Sequence, residues 1–266
     1  MLRPNAVRAA LAGGREVHGL FCAVPAPALV EMIGCAGYDF VVLDSEHALV
    51  DPQELENLVR AAEAVDLTPF VRVPEADPGA ILRALDAGAM GVVVPHVRTP
   101  DDLAAAVRAA RYAPEGMRSL NGGRVPGFGR LDLGEYLARA NAEIMVVAMI
   151  EDAEGVDALD DILAVPGVDL VLEGAADLSQ SYGVPWQTRH PVVREALTRI
   201  ADTCRAHGVE FCAIPRTADD HRAWAARGVR AFVLGEERGI AARALRAHLE
   251  AHLEAHRGVR ADPEAP

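Results

Sequence analysis

Eight short runs of apolar residues recur along the chain, and each has the length and composition of a buried β-strand. They lie at residues 19–24, 40–44, 69–73, 91–95, 145–150, 169–173, 210–214 and 231–234. Between most of these runs, apolar residues recur at the spacing of amphipathic helices, at residues 27–36, 52–65, 78–87, 101–110, 154–163, 191–207 and 218–227. Several of these segments begin near Pro or Asp and end at Gly, which are common signals for helix starts and stops.

Eight strand-then-helix units predict the α/β class and, within it, a (β/α)8 TIM barrel. The strands are almost continuously apolar, which is typical of parallel strands covered on both faces. An open doubly wound sheet is the alternative; the strand count and the lack of a GxGxxG after the first strand disfavour it. An extra helix at residues 6–11 precedes the barrel and a long one at 236–256 follows. We expect one domain over residues 1–257 and a disordered tail at 258–266.

Length and charge narrow the function classes. The 266 residues suit one barrel of about 250 residues, and 51% of them are hydrophobic. No apolar stretch approaches the roughly 20 residues that cross a bilayer, and the N-terminus lacks the layout of a signal peptide. We therefore expect a soluble cytoplasmic protein with no membrane partner. The net charge of −13 argues against nucleic acid as a partner, because phosphate binding favours a basic surface.

The chain contains no lysine, so all 26 of its Lys and Arg residues are arginines. A Schiff base with a substrate or with pyridoxal phosphate requires a lysine amine, and so does a P-loop. Both kinds of chemistry are excluded, which leaves a metal ion as the obvious electrophile for stabilising an enolate.

Polar residues follow the predicted strands, at the end of a barrel where active sites are found. The second strand ends in the sequence Asp44-Ser-Glu-His47. Two acids and an imidazole at the mouth of a buried strand are costly unless they are hydrogen-bonded or used in chemistry. Taken alone, this stretch is equally consistent with a functional site and with an ordinary strand end at which Asp44 only caps a turn. His47 is the best candidate proton carrier, since the unperturbed pKa of histidine lies near 6.5.

Glu151 and Asp177 follow the fifth and sixth strands, which are neighbours in a barrel. Two carboxylates at that separation suit a hard divalent cation such as Mg²⁺ or Mn²⁺. Each acid taken alone is equally well explained as a helix or turn cap. Arg72 lies inside the third strand, one residue before its predicted end, where its planar guanidinium suits either a structural carboxylate or an anionic substrate. His96 follows the fourth strand without an obvious partner in the sequence.

The longest connection is residues 112–130. Its part from residue 118 to residue 130 contains five Gly or Pro residues and three arginines, Arg118, Arg124 and Arg130. Loops of this length in compact domains are often lids or binding loops. A solvent-exposed loop or a subunit contact is the alternative interpretation.

The combination of strings at the strand ends resembles the HpcH/HpaI aldolase family. The matching strings lie at residues 37–47, 70–74, 85–89 with 92–95, 111–114, 149–151 and 174–179. They occur in order over most of the chain, and the combination is specific although no single string is. The resemblance implies a (β/α)8 barrel that assembles as a homo-oligomer, a hexamer of paired subunits, around a small-molecule 2-oxo acid substrate such as pyruvate or oxaloacetate.

The resemblance also implies roles for individual residues. Glu151 and Asp177 would hold a divalent metal ion, Mg²⁺ or Mn²⁺ with Co²⁺ as a substitute. Arg72 would bind the substrate oxygens, and His47, oriented by Asp44, would move protons. The substrate carboxylate would meet the backbone along Gly174, Ala175 and Ala176.

Three positions depart from the pattern usual in these aldolases. Met149 stands where glutamine is common, Ser119-Leu-Asn follows Arg118 where Gly-Val-Gly is common, and Glu173 replaces an apolar residue. They leave the predicted metal site unchanged and concern the acceptor side of the reaction.

The first functional expectation is a metal-dependent aldolase that cleaves 4-hydroxy-2-oxo acids to pyruvate and an aldehyde. The alternative is a citrate synthase of siderophore biosynthesis, which resembles the same family and joins oxaloacetate to acetyl-CoA. In that case Arg124 would be placed to meet CoA phosphates. A non-catalytic barrel is the third reading, and the complete set of acids, Arg72 and His47 argues against it.

Overall fold

The computed structural model describes residues 2–260. Eight parallel strands form a closed barrel in sequence order, with β1 completing the ring beside β8. The predicted (β/α)8 barrel is therefore confirmed, and every strand begins and ends within two residues of its predicted bounds. The strands are β1 Val17–Cys22, β2 Phe40–Asp44, β3 Thr68–Arg72, β4 Gly91–Val94, β5 Met145–Ile150, β6 Leu170–Glu173, β7 Glu210–Ala213 and β8 Ala231–Glu236.

The helices follow the predicted pattern with two additions and one division. The additions are α6 and α9, and the predicted helix at 154–163 is divided at Ala158 into α7 and α8. The helices are α1 Ala6–Ala12, α2 Pro27–Cys35, α3 Pro52–Ala64, α4 Pro78–Ala87, α5 Pro100–Ala110, α6 Leu133–Glu143, α7 Ala153–Asp157, α8 Leu159–Leu163, α9 Ala175–Ser181, α10 Pro191–His207, α11 Ala218–Ala226 and α12 Glu237–Arg260.

Two phenylalanines and two glycines fill part of the barrel interior. The Phe40 and Phe70 rings pack with their centroids 5.4 Å apart, and both side chains are buried. A Cβ atom on Gly19 would lie 2.1 Å from the Phe40 ring, and one on Gly91 would lie 2.9 Å from Phe70. The small residues therefore make room for the large ones on neighbouring strands, as close packing of a barrel requires.

The connection between α5 and α6 lies at the amino-terminal end of the barrel. Arg124 forms an ion pair with Glu63 at the end of α3 and donates to the Ala87 carbonyl at the end of α4, 3.1 Å away. Both helices lead directly into the starts of strands. Arg118 is buried beside Asp86, with which it pairs at 2.8 Å.

This placement corrects the expectation that Arg124 belongs to a substrate-binding loop over the strand ends of its own chain. In a (β/α)8 barrel, connections from a strand to a helix lie at the carboxyl ends of the strands, and connections from a helix to a strand lie at the other end. The long loop follows a helix, so it is of the second kind. Arg124 connects α3 to α4, and Arg118 binds α4 through Asp86.

The last helix, α12, extends the chain beyond the barrel to Arg260, so the first part of the predicted tail is helical. Residues 261–266, the rest of that predicted tail, lie outside the described residues. In the part of the chain that is described, no helix is both long and apolar enough to cross a membrane.

Candidate active site

Asp44 and Arg72 form a buried ion pair at the ends of β2 and β3. The two residues are directly paired in the register of the strands, which places their side chains side by side. Arg72 donates from Nε to Asp44 Oδ1 at 3.0 Å and from Nη2 to Oδ2 at 2.8 Å. Burial raises the pKa of the Asp44 carboxyl, but the hydrogen bonds and charge of Arg72 outweigh it and hold the pKa below its usual value.

The remaining edge of Arg72 faces the next acid in the sequence. Its Nη1 lies 3.0 Å from Glu46 Oε2, and its guanidinium carbon lies 4.7 Å from the centre of the Phe21 ring. Arg72 is thus held by two carboxylates and an aromatic face. Its Nη1 faces Glu46 rather than Asp44, so a substrate oxygen that binds there competes with Glu46.

Asp44 organises the turn that carries His47, but it does so through the backbone. Asp44 Oδ1 accepts hydrogen bonds from the N–H groups of Glu46 at 3.0 Å and His47 at 3.3 Å. The imidazole of His47 is 58% exposed, and its Nε2 lies 3.9 Å from Glu46 Oε2. The turn-capping role that the sequence left open for Asp44 is therefore present, and Asp44 orients the His47 main chain rather than its ring.

His96, after β4, is a site residue that the sequence did not single out. Its backbone N–H donates to Glu151 Oε1 at 2.9 Å, and its Nδ1 lies 3.0 Å from Asp152 Oδ2. Its φ angle of 51° is in the left-handed region, where residues other than glycine are uncommon and often mark a site. The signal available in the sequence was its position after a strand, but its acidic partners are more than 50 residues away.

The ring of His96 lies among three acids. Its Nε2 is 3.7 Å from Glu46 Oε1, and its Nδ1 is 3.7 Å from Glu151 Oε1. Burial lowers the pKa of the imidazole, but the hydrogen bond with Asp152 and the charges of Glu151 and Asp152 raise it above its ordinary value. His96 is therefore placed to carry or exchange a proton at the strand ends.

Glu151 is the most deeply buried acid of the strand-end cluster, with 1% of its surface exposed. Burial raises its pKa to about 7, and the carboxylates of Glu46 and Asp177 act in the same direction. A divalent cation beside Glu151 would offset both effects, because it supplies positive charge to the ionised form. The oxygen-only donors also match the preference of Mg²⁺ and Mn²⁺.

Gly174 gives Glu151 the space that it occupies. A Cβ atom at position 174 would lie 2.4 Å from Glu151 Cβ and 2.5 Å from its Oε2. Gly174 precedes α9, and Ala175 and Ala176 form the first turn of that helix together with Asp177. The first backbone N–H groups of a helix have no partner within it, so the N–H groups at the start of α9 are available as donors.

Comparisons with known proteins show which family the chain resembles in sequence and fold. A family model described as HpcH/HpaI aldolase/citrate lyase matches residues 18–244. The 5-keto-4-deoxy-D-glucarate aldolase of Shigella dysenteriae serotype 1 (strain Sd197) is 34% identical over 238 residues, which cover 89% of this chain and 92% of the aldolase.

Two crystal structures extend the comparison. Citrate synthase SbnG is 43% identical and superposes with a TM-score of 0.88, covering 94% of this chain and 98% of that chain. An HpcH/HpaI aldolase/citrate lyase family protein from Burkholderia cenocepacia J2315 is 34% identical with a TM-score of 0.87, covering 93% and 98%.

Proposed function

Since this chain belongs to the HpcH/HpaI aldolase/citrate lyase family of metal-dependent enzymes, we propose that it makes or breaks a carbon–carbon bond of a 2-oxo acid, either at the carbonyl carbon or at the carbon beside it. One observation carries the proposal. The buried carboxylate of Glu151, its neighbour Asp177 and the guanidinium of Arg72 lie at the same barrel end, so a cation bound by the acids and an anion bound by Arg72 would be side by side. A 2-oxo acid has a carbonyl and a carboxylate that suit such a pair of sites.

Glu151 and Asp177 are the residues that would hold the metal ion. When bound, a divalent ion would supply Lewis-acid stabilisation of the negative charge that develops on the substrate carbonyl. Mg²⁺ and Mn²⁺ fit the donors, and Co²⁺ is a reasonable substitute. Backbone N–H groups at Ala175 and Ala176, released by the turn at Gly174, would receive the substrate carboxylate.

Arg72 would bind substrate oxygens through Nη1, while Asp44 holds its other edge and prevents the side chain from rotating. His47 and His96 are the two proton carriers at this end of the barrel. His47 is exposed and free to change its rotamer, whereas His96 is held by Asp152. We assign proton transfer with the substrate to His47 and place His96 as the group that keeps Glu151 ionised.

Condensation of oxaloacetate with acetyl-CoA is the reaction that we favour. The 43% identity to citrate synthase SbnG supports it, because the similarity extends over 94% of this chain. A proton leaves the methyl group of acetyl-CoA, the resulting carbon attacks the oxaloacetate carbonyl, and the new alkoxide takes up a proton. Water then hydrolyses the thioester and releases the CoA thiol with citrate. A siderophore pathway is the proposed use of that citrate.

Cleavage of 4-hydroxy-2-oxo acids is the second candidate, and the motifs in the sequence predict it first. The 34% identity to a 5-keto-4-deoxy-D-glucarate aldolase supports it. Here the site removes the proton of the 4-hydroxyl group, the bond between C3 and C4 breaks, and C3 of the released enolate takes up a proton to give pyruvate. Both candidates place the same 2-oxo acid unit on the same residues.

One experiment separates the two candidates. The protein is incubated with oxaloacetate, acetyl-CoA and Mg²⁺ while free thiol is measured, and in parallel with a panel of 4-hydroxy-2-oxo acids while pyruvate is measured. Thiol release that depends on oxaloacetate supports the condensation, and pyruvate release without thiol supports the aldolase. Activity in neither arm, or activity that persists in EDTA, would contradict the proposed metal-dependent function.

We also propose that the enzyme is a single-domain cytoplasmic protein that works as a homo-oligomer, a hexamer or trimer of dimers. The exposed apolar face of α12 supports the oligomer, because it carries Leu245, Leu249 and Leu253 at helical spacing. Light scattering of the purified protein tests the oligomeric state.

A further inference from the structure

A cavity of about 180 Å³ lies outside the barrel, between the ends of β6 and β7 and the helices α10 and α11. It is separate from the strand-end site. Successive residues of a strand point their side chains to opposite faces of the sheet. A side chain at position 174 would point toward Glu151, inside the barrel. Glu173 therefore points the other way, into this outer cavity, where it forms part of the lining.

The charge of the cavity is unlike that of the protein as a whole. Four arginines line it, Arg189, Arg194, Arg216 and Arg227, together with two acids, Glu173 and Asp220. The complete chain carries a net charge of −13, so a cluster of arginines around one cavity is a local reversal of sign. Such a cavity attracts anions and concentrates them.

Two of the four arginines form ion pairs with acidic residues of the protein, and the other two do not. Arg227 pairs with Asp202 at 2.8 Å, and Arg189 lies 3.5 Å from Asp220. Arg194 and Arg216 have no ion-pair partner within 4.0 Å among the residues that the structure describes. Both side chains are exposed at the mouth, where their donors are available to a ligand.

Glu173 lies at the bottom of the cavity, and one of its two carboxyl oxygens has no hydrogen-bond partner. Its Oε1 accepts a hydrogen bond from the Ile214 N–H at 2.6 Å, while its Oε2 is buried without a hydrogen-bond partner. The residue is only 1% exposed. A buried polar atom without a partner is costly, and a ligand that satisfies it recovers that cost.

The protonation of Glu173 decides which ligand fits. Burial raises the pKa of this carboxyl to about 7, although the charge of Arg216 opposes the change. A neutral carboxyl group has a hydroxyl hydrogen, so it donates to an anion instead of repelling it. Arg216 and Glu173 can then bind one ligand from two sides.

We propose that this outer cavity binds a small anion with two or more carboxylates or a phosphate group, at Arg194, Arg216 and Glu173. At about 30 Å³ for each water molecule, the cavity holds the equivalent of about six waters, which suits a small metabolite and leaves a nucleotide mostly outside. The inference is independent of the reaction at the strand ends and does not require that site to be occupied.

Trp224 provides a direct measurement, because it lines the cavity and the chain has only one other tryptophan. Trp186 is 83% exposed, and Trp186→Phe leaves Trp224 as the single fluorescent reporter. This variant is titrated with citrate, with inorganic phosphate and with acetate, in EDTA and at constant ionic strength. EDTA removes binding that depends on metal at the strand ends, and acetate tests for a response to a monoanion.

A saturable change in Trp224 emission is expected with citrate, with phosphate or with both, and acetate should produce none. The affinity should fall at least about tenfold in the double variant Arg194→Gln with Arg216→Gln, because it loses two charge-assisted contacts. It should be unchanged in the matched double variant Arg15→Gln with Arg108→Gln, which removes two exposed arginines elsewhere. Glu173→Gln should retain binding, since its amide also donates.

Citrate alone would identify a polycarboxylate site, and phosphate alone a phosphate site. No saturable response to either anion would overturn the proposal, and so would an equal loss of affinity in the two double variants. Should the double variant unfold, as judged by circular dichroism, the single charge reversal Arg194→Glu replaces it, and unchanged affinity there would likewise overturn the proposal. Isothermal titration calorimetry on the unmodified protein checks the stoichiometry of one anion for each chain.

Discussion

Glu173→Gln should make the protein more stable at pH 8 and should flatten the dependence of its stability on pH. Glu173 is buried, and burial raises its pKa from 4.5 to about 7. Between these two values the unfolded chain loses the proton and the folded chain keeps it. The free energy of unfolding therefore falls by about 1.4 kcal/mol for each pH unit, or about 3 kcal/mol in total.

The sign follows from the direction of the shift. A group whose folded-state pKa is raised contributes its full stability below the unfolded pKa, and the contribution is lost as the pH rises through the folded pKa. Glutamine has no proton to lose, and its oxygen still accepts the hydrogen bond from the Ile214 N–H. The difference in stability between variant and wild type should therefore grow from pH 4.5 to pH 7 and then stay constant.

Urea denaturation followed by circular dichroism, at pH 5, 6, 7 and 8, measures this difference. Protein concentration is held constant because oligomers gain stability from association. EDTA is present throughout, and the titration of Glu151 cancels because both proteins contain it. The matched control is Glu31→Gln, since Glu31 is exposed. If the curves of Glu173→Gln and wild type run parallel over this range, the buried proton does not exist and the reasoning is wrong.

The remaining predictions concern the strand-end site. Gly174→Ala should displace Glu151, because the new Cβ would lie 2.4 Å from the Cβ of that buried residue, so it should weaken Mn²⁺ binding measured by electron paramagnetic resonance and also lower the thermal midpoint. The affinity of wild type for Mn²⁺ should rise about tenfold per pH unit up to pH 7 and then level off, since the metal displaces the Glu151 proton; an affinity independent of pH would count against Glu151 as a ligand. Arg72→Lys should lower kcat/KM by roughly tenfold or more, because lysine cannot keep the bidentate contact with Asp44 and also present a donor to the substrate; unchanged steady-state kinetics would exclude a substrate contact. His47→Ala should lower kcat by about 10²–10⁴-fold and His96→Ala should mainly weaken Mn²⁺ binding; the reverse pattern would exchange their roles.

The strands were predictable because each is a continuous apolar run, and eight such runs with helices between them leave few arrangements other than a barrel. Helix α6 was missed although its signal is present. Asp132 accepts a hydrogen bond from the Glu135 N–H, so the pattern of an Asp followed three residues later by Glu marks its start. The N-cap of helix α9 is Gly174, which has no side chain to accept a hydrogen bond from the first turn. The sequence therefore offered little to detect this helix.

The rule that strand ends carry the site selected Asp44, Arg72, Glu151 and Asp177 as candidates, and the structure places all four at that end of the barrel. The expectation that a long loop is a lid or a binding loop misplaced Arg124. That loop lies between the fourth and fifth strands in sequence, but it follows a helix and therefore returns to the opposite end of the barrel. The distinction between the two kinds of connection was available in the sequence, because the helix at 101–110 precedes the loop.

Only the structure could show which side chains pair with each charged residue of the candidate site. Asp44 lies three residues before His47, and this proximity in sequence favoured a contact between their side chains. The strand register instead pairs Asp44 with Arg72, 28 positions away, and both hydrogen-bond donors of that edge are used. A carboxylate that Arg72 holds in two places cannot also turn toward an imidazole. The ring of His47 is thus not held by Asp44, although its main chain is, so a proton that leaves the imidazole goes to the substrate, to Glu46 or to water.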